Sequence, residues 1–186
     1  MSPGPAAAAP ETPFVRFKGL AYRGHDPSWA HAPLSGEGAA AQGGRFNPKG
    51  VAALYLSLAV ETVFKEVSAG FGHRFDPLTI CAYEVECEAL VDLTTEDARA
   101  AAGVTYEQLA APWMLDRSAG RIPASWRVQE RLRAAGASGV LVPSFANGSL
   151  PGEVNLVLWV WGEAPPQAVR VIDAKGRLPK NRLSWE

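Results

Sequence analysis

Residues 43–67 read GGRFNPKGVAALYLSLAVETVFKEV, and the change of period inside them decides the fold class. VAALYLS, residues 51–57, is short, apolar and opened by Gly50, the pattern of a buried strand. After Ser57 the spacing becomes helical: Val60, Val63, Phe64 and Val67 recur at i, i+3, i+4 and i+7, with Ser57 placed to cap the helix. At about 100° per residue Glu66 falls beside this stripe, on the shoulder of the core. Gly43 and Gly44, just ahead of Arg45, suit either a tight turn or a close approach of backbone to a ligand. Whether Arg45, Tyr55 and Glu66 share one pocket or are three separate surface residues is the question this stretch raises.

The same reading extends outward. FVRFKGLAYR, residues 14–23, predicts a short strand broken at Gly19, and the Gly-, Pro- and Ala-rich run from Gly24 to Gly44 predicts a long functional loop. LTICAYEVECEALVDL, residues 78–93, alternates as a long strand does. Thr94 and Thr95 then start a helix that Gly103 stops. Thr105 and Gln108 have capping-box spacing. Ser125 precedes WRVQERLRAAG, whose Val128, Leu132 and Ala135 share one face before Gly136. The last third holds the strand-like runs SGVLVPS, EVNLVLWVWG and AVRVID, separated by turn residues. Strands flank helices without strict βαβ repetition, which predicts an α+β domain with antiparallel sheets over a doubly wound parallel one.

The chain has 186 residues, 47% hydrophobic and 20% charged, with a net charge of −1. That length suits one domain, and the balance excludes a disordered polyelectrolyte or a nucleic-acid wrapper. Cys81 and Cys87 are the only cysteines and fall on one face of one strand, where they do not bridge, so a reducing cytoplasm is expected. The opening MSPGPAAAAPETP lacks a basic n-region and reads as a floppy tail. No run approaches the roughly 18 apolar residues of a membrane span.

His25, Asp26 and His31 lack zinc spacing, so no metal site is expected, and Walker, G-x-G-x-x-G and G-x-S-x-G motifs are absent. What remains is a set of arginines, a tyrosine and a carboxylate around glycine-rich loops. Guanidinium forks at Arg23 and Arg45 suit a pyrophosphate, Tyr55 offers a ring for stacking, and Glu66 is of the type that supports an oxocarbenium-like transition state. Together they suit a nucleotide with a labile glycosidic bond.

Tyr22–Arg23, LSGEGA at 34–39, GGRFNPKG at 43–50, LYLS at 54–57 and FKEV at 64–67 carry a resemblance that extends to SGVLVPS, with Ser144, and NLVLW, with Asn155. In these segments the chain resembles the RES-domain toxins of bacterial RES–Xre type II toxin–antitoxin systems. The resemblance implies an ADP-ribosyltransferase-like α+β core, two small antiparallel sheets with flanking helices, over residues 14–173, between a disordered tail at 1–13 and a C-terminal tail at 174–186. It implies cleavage of the nicotinamide–ribose bond of NAD+, with ADP-ribose passed to a protein, water or phosphate. NAD+ would be the substrate, with no metal. Glu66, Tyr55 and Arg23 would be catalytic; Arg23, Arg45, Tyr55, Ser144 and Asn155 would bind the dinucleotide. Phe46 stands where many relatives have Trp.

The same resemblance implies a cytoplasmic bacterial protein restrained by a cognate Xre-like antitoxin, with a protein acceptor and a homodimer both open, and no direct contact with nucleic acid or membrane. Two rivals stay open on the residues alone. One is a non-catalytic NAD- or ADP-ribose-binding module. The other is a toxin ribonuclease with Glu66 as base, which the lack of a histidine in the motif core disfavours.

Overall fold

The computed structural model describes residues 12–68 and 77–185. Six strands appear in the order β1 (Phe14–His25), β2 (Leu54–Ser57), β3 (Thr79–Asp92), β4 (Gly139–Pro143), β5 (Val154–Leu158) and β6 (Gln167–Val171). The helices are α1 (Glu37–Gln42), α2 (Val60–Val67), α3 (Glu96–Ala101), α4 (Tyr106–Ala110), α5 (Trp113–Ser118) and α6 (Ala124–Ala134). The N-terminal tail expected over residues 1–13 lies outside the described residues except for 12 and 13, and so do residues 69 and 70 of the helical run.

The strands are hydrogen-bonded in the order β1-β2-β5-β4-β3-β6, and β1 also pairs with β3, so five of them close into a barrel with β6 added on β3. This differs from the expected pair of separate sheets. The physical reason lies in β3, which pairs with β6 over Tyr83–Cys87 and then runs on to take up β4 over Leu90–Asp92. Between those stretches the register against β1 shifts and Ala89 adopts φ 53°, a bulge that bends the strand from one layer of the barrel to the other. The β3–β4 pairing is parallel, with α3 to α6 in the crossover; every other strand pairing is antiparallel.

At the opposite seam, β1 and β2 share a single register pair, Tyr22 with Ser57. A cleft lies at this seam, lined by Tyr22, Arg23 and Gly24 of β1 and Tyr55, Leu56 and Ser57 of β2.

Gly19 does not break β1. It pairs with Val85 inside a continuous strand, and the Phe17 ring lies over it, shielding the exposed backbone from water. The expected loop from Gly24 to Gly44 contains a 3₁₀ turn at Pro27–Trp29 and α1. Capping chemistry is legible where expected at α3, where the Thr95 side chain accepts from the Ala98 N–H, and at α4, where Thr105 and Gln108 form a full capping box.

Two apolar clusters divide the interior. Ala21, Leu54, Leu56, Tyr83, Val85, Leu156 and Leu158 fill the barrel. Val128, Leu132, Val140, Val157 and Trp159 join the helices to the outer face of β4 and β5. Strand alternation divides β2 in the same way: Leu54 and Leu56 point inward, Tyr55 and Ser57 outward. Cys81 and Cys87 are both buried and free. The segment expected as a C-terminal tail packs Leu178 against the barrel cluster and sets Arg182 over the Trp29 ring at 5.2 Å. Among the described residues no helix is long and apolar enough to cross a membrane.

Candidate active site

The outer face of β2 and β5 is the floor of the cleft. Their antiparallel register sets Tyr55 opposite Val157 and Ser57 opposite Asn155, and β4 places Val142 beside Asn155. The period of two turns all five side chains to the same side. α2 follows β2 after two residues and brings Glu66, on its last turn, over this floor. Two cavities meet there. One, of about 170 Å³, is lined by Tyr22, Arg23, Tyr55, Ser57, Glu66 and Asn155 among others. The other, about 60 Å³, is lined by Arg45, Phe46, Tyr55, Glu66, Phe145 and Asn155 together with Val142 and Val157. Tyr55, Glu66 and Asn155 form the wall common to both.

The α2 stripe differs from its expected form. Val63 and Thr62 are buried, whereas Phe64 and Val67 are 44% and 45% exposed. Lys65 pairs with Glu153 at 2.5 Å and ties the helix to the loop before β5.

Glu66 is held at one oxygen. Its Oε1 accepts from Ser144 Oγ at 2.6 Å and from Asn155 Nδ2 at 2.5 Å; Oε2 accepts no bond among the described residues. Ser144 is in turn 2.7 Å from Ser149 Oγ, and Asn155 Oδ1 accepts from Ser57 Oγ at 2.7 Å. Ser144 and Asn155, expected to touch the dinucleotide, thus direct their polar groups at the carboxylate, though Asn155 also lines both cavities. Ser57 does not cap α2, whose N-cap is Ala59 with no side-chain bond.

Tyr55 spends its hydroxyl on the glycine-rich loop. The phenol donates to Asn47 Oδ1 at 2.7 Å and accepts from the Phe46 N–H at 3.0 Å, and burial holds its pKa well above the ordinary phenol value. Only the ring is left to face a ligand. The rest of the loop is equally fixed: the carbonyls of Gly44, Arg45 and Phe46 accept from Trp126 Nε1, Ser125 Oγ and Trp159 Nε1 at 2.8, 2.6 and 2.9 Å. Gly44 has to be glycine, since a Cβ there would stand 2.5 Å from the Tyr55 hydroxyl. Phe46 is buried in the helix-side core.

The two arginines do not meet in one cavity. Arg23 Nη1 donates to the carbonyls of Pro33 and Ser35 at 3.2 and 3.0 Å, and its side chain lines the larger cavity and a third one, of about 160 Å³, with His25, Asp26, Trp29 and Ser35. Arg45 Nη1 donates to Leu109 O and Ala111 O at 3.0 and 2.8 Å, with its guanidinium 4.7 Å from the Phe145 ring centre. Burial lowers the pKa of both, and for Arg45 the Glu66 charge opposes that shift. The arginines therefore stand on either side of the Tyr55–Glu66 wall, each keeping donors beyond the one its carbonyls occupy.

His25 is buried, 2.6 Å from the Tyr83 hydroxyl, and burial with the nearby Arg23 charge lowers its pKa to about 4. Neither it nor His31 joins a metal-binding group: among the described residues no three His, Cys, Asp or Glu side chains cluster in that way. Tyr22, Ser57 and Phe145 line the site although none was expected there as a binding or catalytic residue. Tyr22 and Ser57 carried a signal in strand parity, since both share the outward face with Tyr55.

The sequence matches the RES domain over residues 20–185. The chain belongs to the RES-domain family. RES domains are found in the toxins of toxin–antitoxin systems, and membership points at a coarse level to an NAD-related enzyme that pairs with an antitoxin. No curated protein matches the chain.

Proposed function

We propose that this RES domain is the toxin half of a toxin–antitoxin pair and cleaves the nicotinamide–ribose bond of NAD+. The observation that carries the reading is the Glu66 carboxylate, anchored at Oε1 by Ser144 and Asn155, on a residue that lines both cavities together with Tyr55. An anchored carboxylate is what a developing ribosyl cation needs, because its charge is in place before the bond breaks. The C–N bond breaks with both electrons leaving on nicotinamide, and an acceptor oxygen then closes on C1′, losing its proton to Glu66 or solvent.

Cavity size divides the ligand. Pockets that enclose a drug-sized molecule run roughly 300–1,000 Å³, so the 170 Å³ cavity suits the nicotinamide–ribose end alone. Arg23, shared with the neighbouring cavity, suits the pyrophosphate; Arg45, on the far side of Glu66, suits a ribose hydroxyl or an incoming acceptor. Water, phosphate and a protein side chain are all acceptors this centre allows. An Xre-like antitoxin covering the cleft would silence it.

The test is nicotinamide release from NAD+ by wild type and by Glu66→Gln. Gln keeps an oxygen for Ser144 and Asn155, so the variant folds, and turnover falls by about 100-fold or more. A folded Glu66→Gln that consumes NAD+ at the wild-type rate overturns the assignment.

A further inference from the structure

We infer that Ser57 is a positioning residue for Glu66, acting through Asn155; the inference rests on the cleavage reading above and deepens it. Asn155 can present either end of its amide to a neighbour, but only the NH₂ end is tolerated against a carboxylate. With Nδ2 on Glu66 Oε1, Oδ1 is turned back toward β2, where Ser57 Oγ donates to it at 2.7 Å. Ser57 and Asn155 are register partners on the same face, so no rearrangement of backbone is needed for the bond. Ser57 is 5% exposed, which leaves little room for water to take its place as donor.

Glu66 is thus held by two arms. The second runs from Ser144, whose oxygen meets Ser149 Oγ at 2.7 Å and the Ala146 N–H at 3.3 Å, and it does not involve Ser57. Removing Ser57 leaves Asn155 Oδ1 without its donor, so the amide is held at the Glu66 end alone and rocks, and the carboxylate is firmly fixed only by the Ser144 arm. The effect is on the transition state, where aim matters, and not on binding, which Ser57 serves only as part of the cavity wall.

The experiment compares Ser57→Ala and Ser57→Thr with wild type in nicotinamide release, and records the Asn155 side-chain amide signals by NMR in the same three proteins. Losing the hydrogen bond that holds Asn155 lowers kcat by about tenfold in Ser57→Ala with KM changed less than about threefold, and Ser57→Thr, which keeps the hydroxyl, recovers most of it. The Asn155 amide signals shift or broaden in Ser57→Ala and return in Ser57→Thr. Unchanged kcat in Ser57→Ala overturns the inference, as does a loss that appears only in melting temperature. If wild type releases no nicotinamide, the cleavage reading fails, and the NMR arm still decides: undisturbed Asn155 signals in Ser57→Ala overturn the positioning role.

Discussion

The phenol oxygen of Tyr55 stands 2.7 Å from Asn47 Oδ1, and Asn47 in turn donates through Nδ2 to the carbonyls of Ala39 and Val51 at 2.8 Å each. One hydroxyl therefore links the floor of the cleft to α1 and to both ends of the glycine-rich loop. It follows that the polar end of Tyr55 is structural and its ring alone is available to a ligand.

Tyr55→Phe separates the two roles. It leaves the Phe46 N–H and Asn47 Oδ1 without their partner, and each such group costs about 1–3 kcal/mol when buried. At about 2–4 °C per kcal/mol for a chain of this size, melting temperature falls by several degrees. Nicotinamide release below that temperature falls less than about tenfold, whereas Tyr55→Ala, which also removes the ring, loses it. Thermal melts with activity assays on both variants check this; a Tyr55→Phe as stable as wild type but inactive would place the hydroxyl against the ligand.

Gly44→Ala strikes the same link from the other side. Its Cβ would meet the Tyr55 hydroxyl at 2.5 Å and Asn47 Oδ1 at 2.7 Å, both inside contact distance, so the bond between them is forced apart. Because Tyr55→Phe removes one of the two clashing oxygens, the double variant loses less stability than the two single losses added together. A double-mutant cycle on unfolding free energy measures this, with a coupling of about 0.5–3 kcal/mol expected.

How much of this was legible in the sequence follows from the physics of each element. Capping at Thr95 and Thr105 was readable because it is local, a side chain meeting a backbone N–H three residues on. The closure of the sheet was not, since it depends on a bulge at Ala89 and on a parallel pairing between Leu90–Asp92 and Gly139–Leu141, far apart along the chain. Ser57 shows the same limit: its spacing suits a helix cap, but a strand partner 98 residues away takes its hydroxyl. The strand and helix that carry Tyr55 and Glu66 were readable from the change of period, whereas their meeting at one wall depends on how α2 packs against β2 and β5. The separation of Arg23 from Arg45 was not readable, because it depends on where distant segments pack: Arg23 meets the carbonyls of Pro33 and Ser35, Arg45 those of Leu109 and Ala111, 64 and 66 residues away.

His25 makes the stability of the fold acid-sensitive. Its folded pKa of about 4 lies below the ordinary 6.5, because burial and the Arg23 charge disfavour the imidazolium. Between those two values the unfolded chain binds a proton that the folded one does not, so stability rises with pH across the window. The contribution is complete above pH 6.5, is lost progressively on acidification toward pH 4, and amounts to at most about 3 kcal/mol. The carboxylates with lowered pKa, Asp26, Glu86, Glu107, Glu153 and Asp173, start from ordinary values of 3.8 or 4.5, so their contributions are lost on acidification below about 4.5 and overlap only the acid end of this window. Denaturant unfolding from pH 7 to 4.5 should therefore show a decline in wild type that is much reduced in His25→Gln. A decline of equal slope in the variant would assign the acid sensitivity to another group.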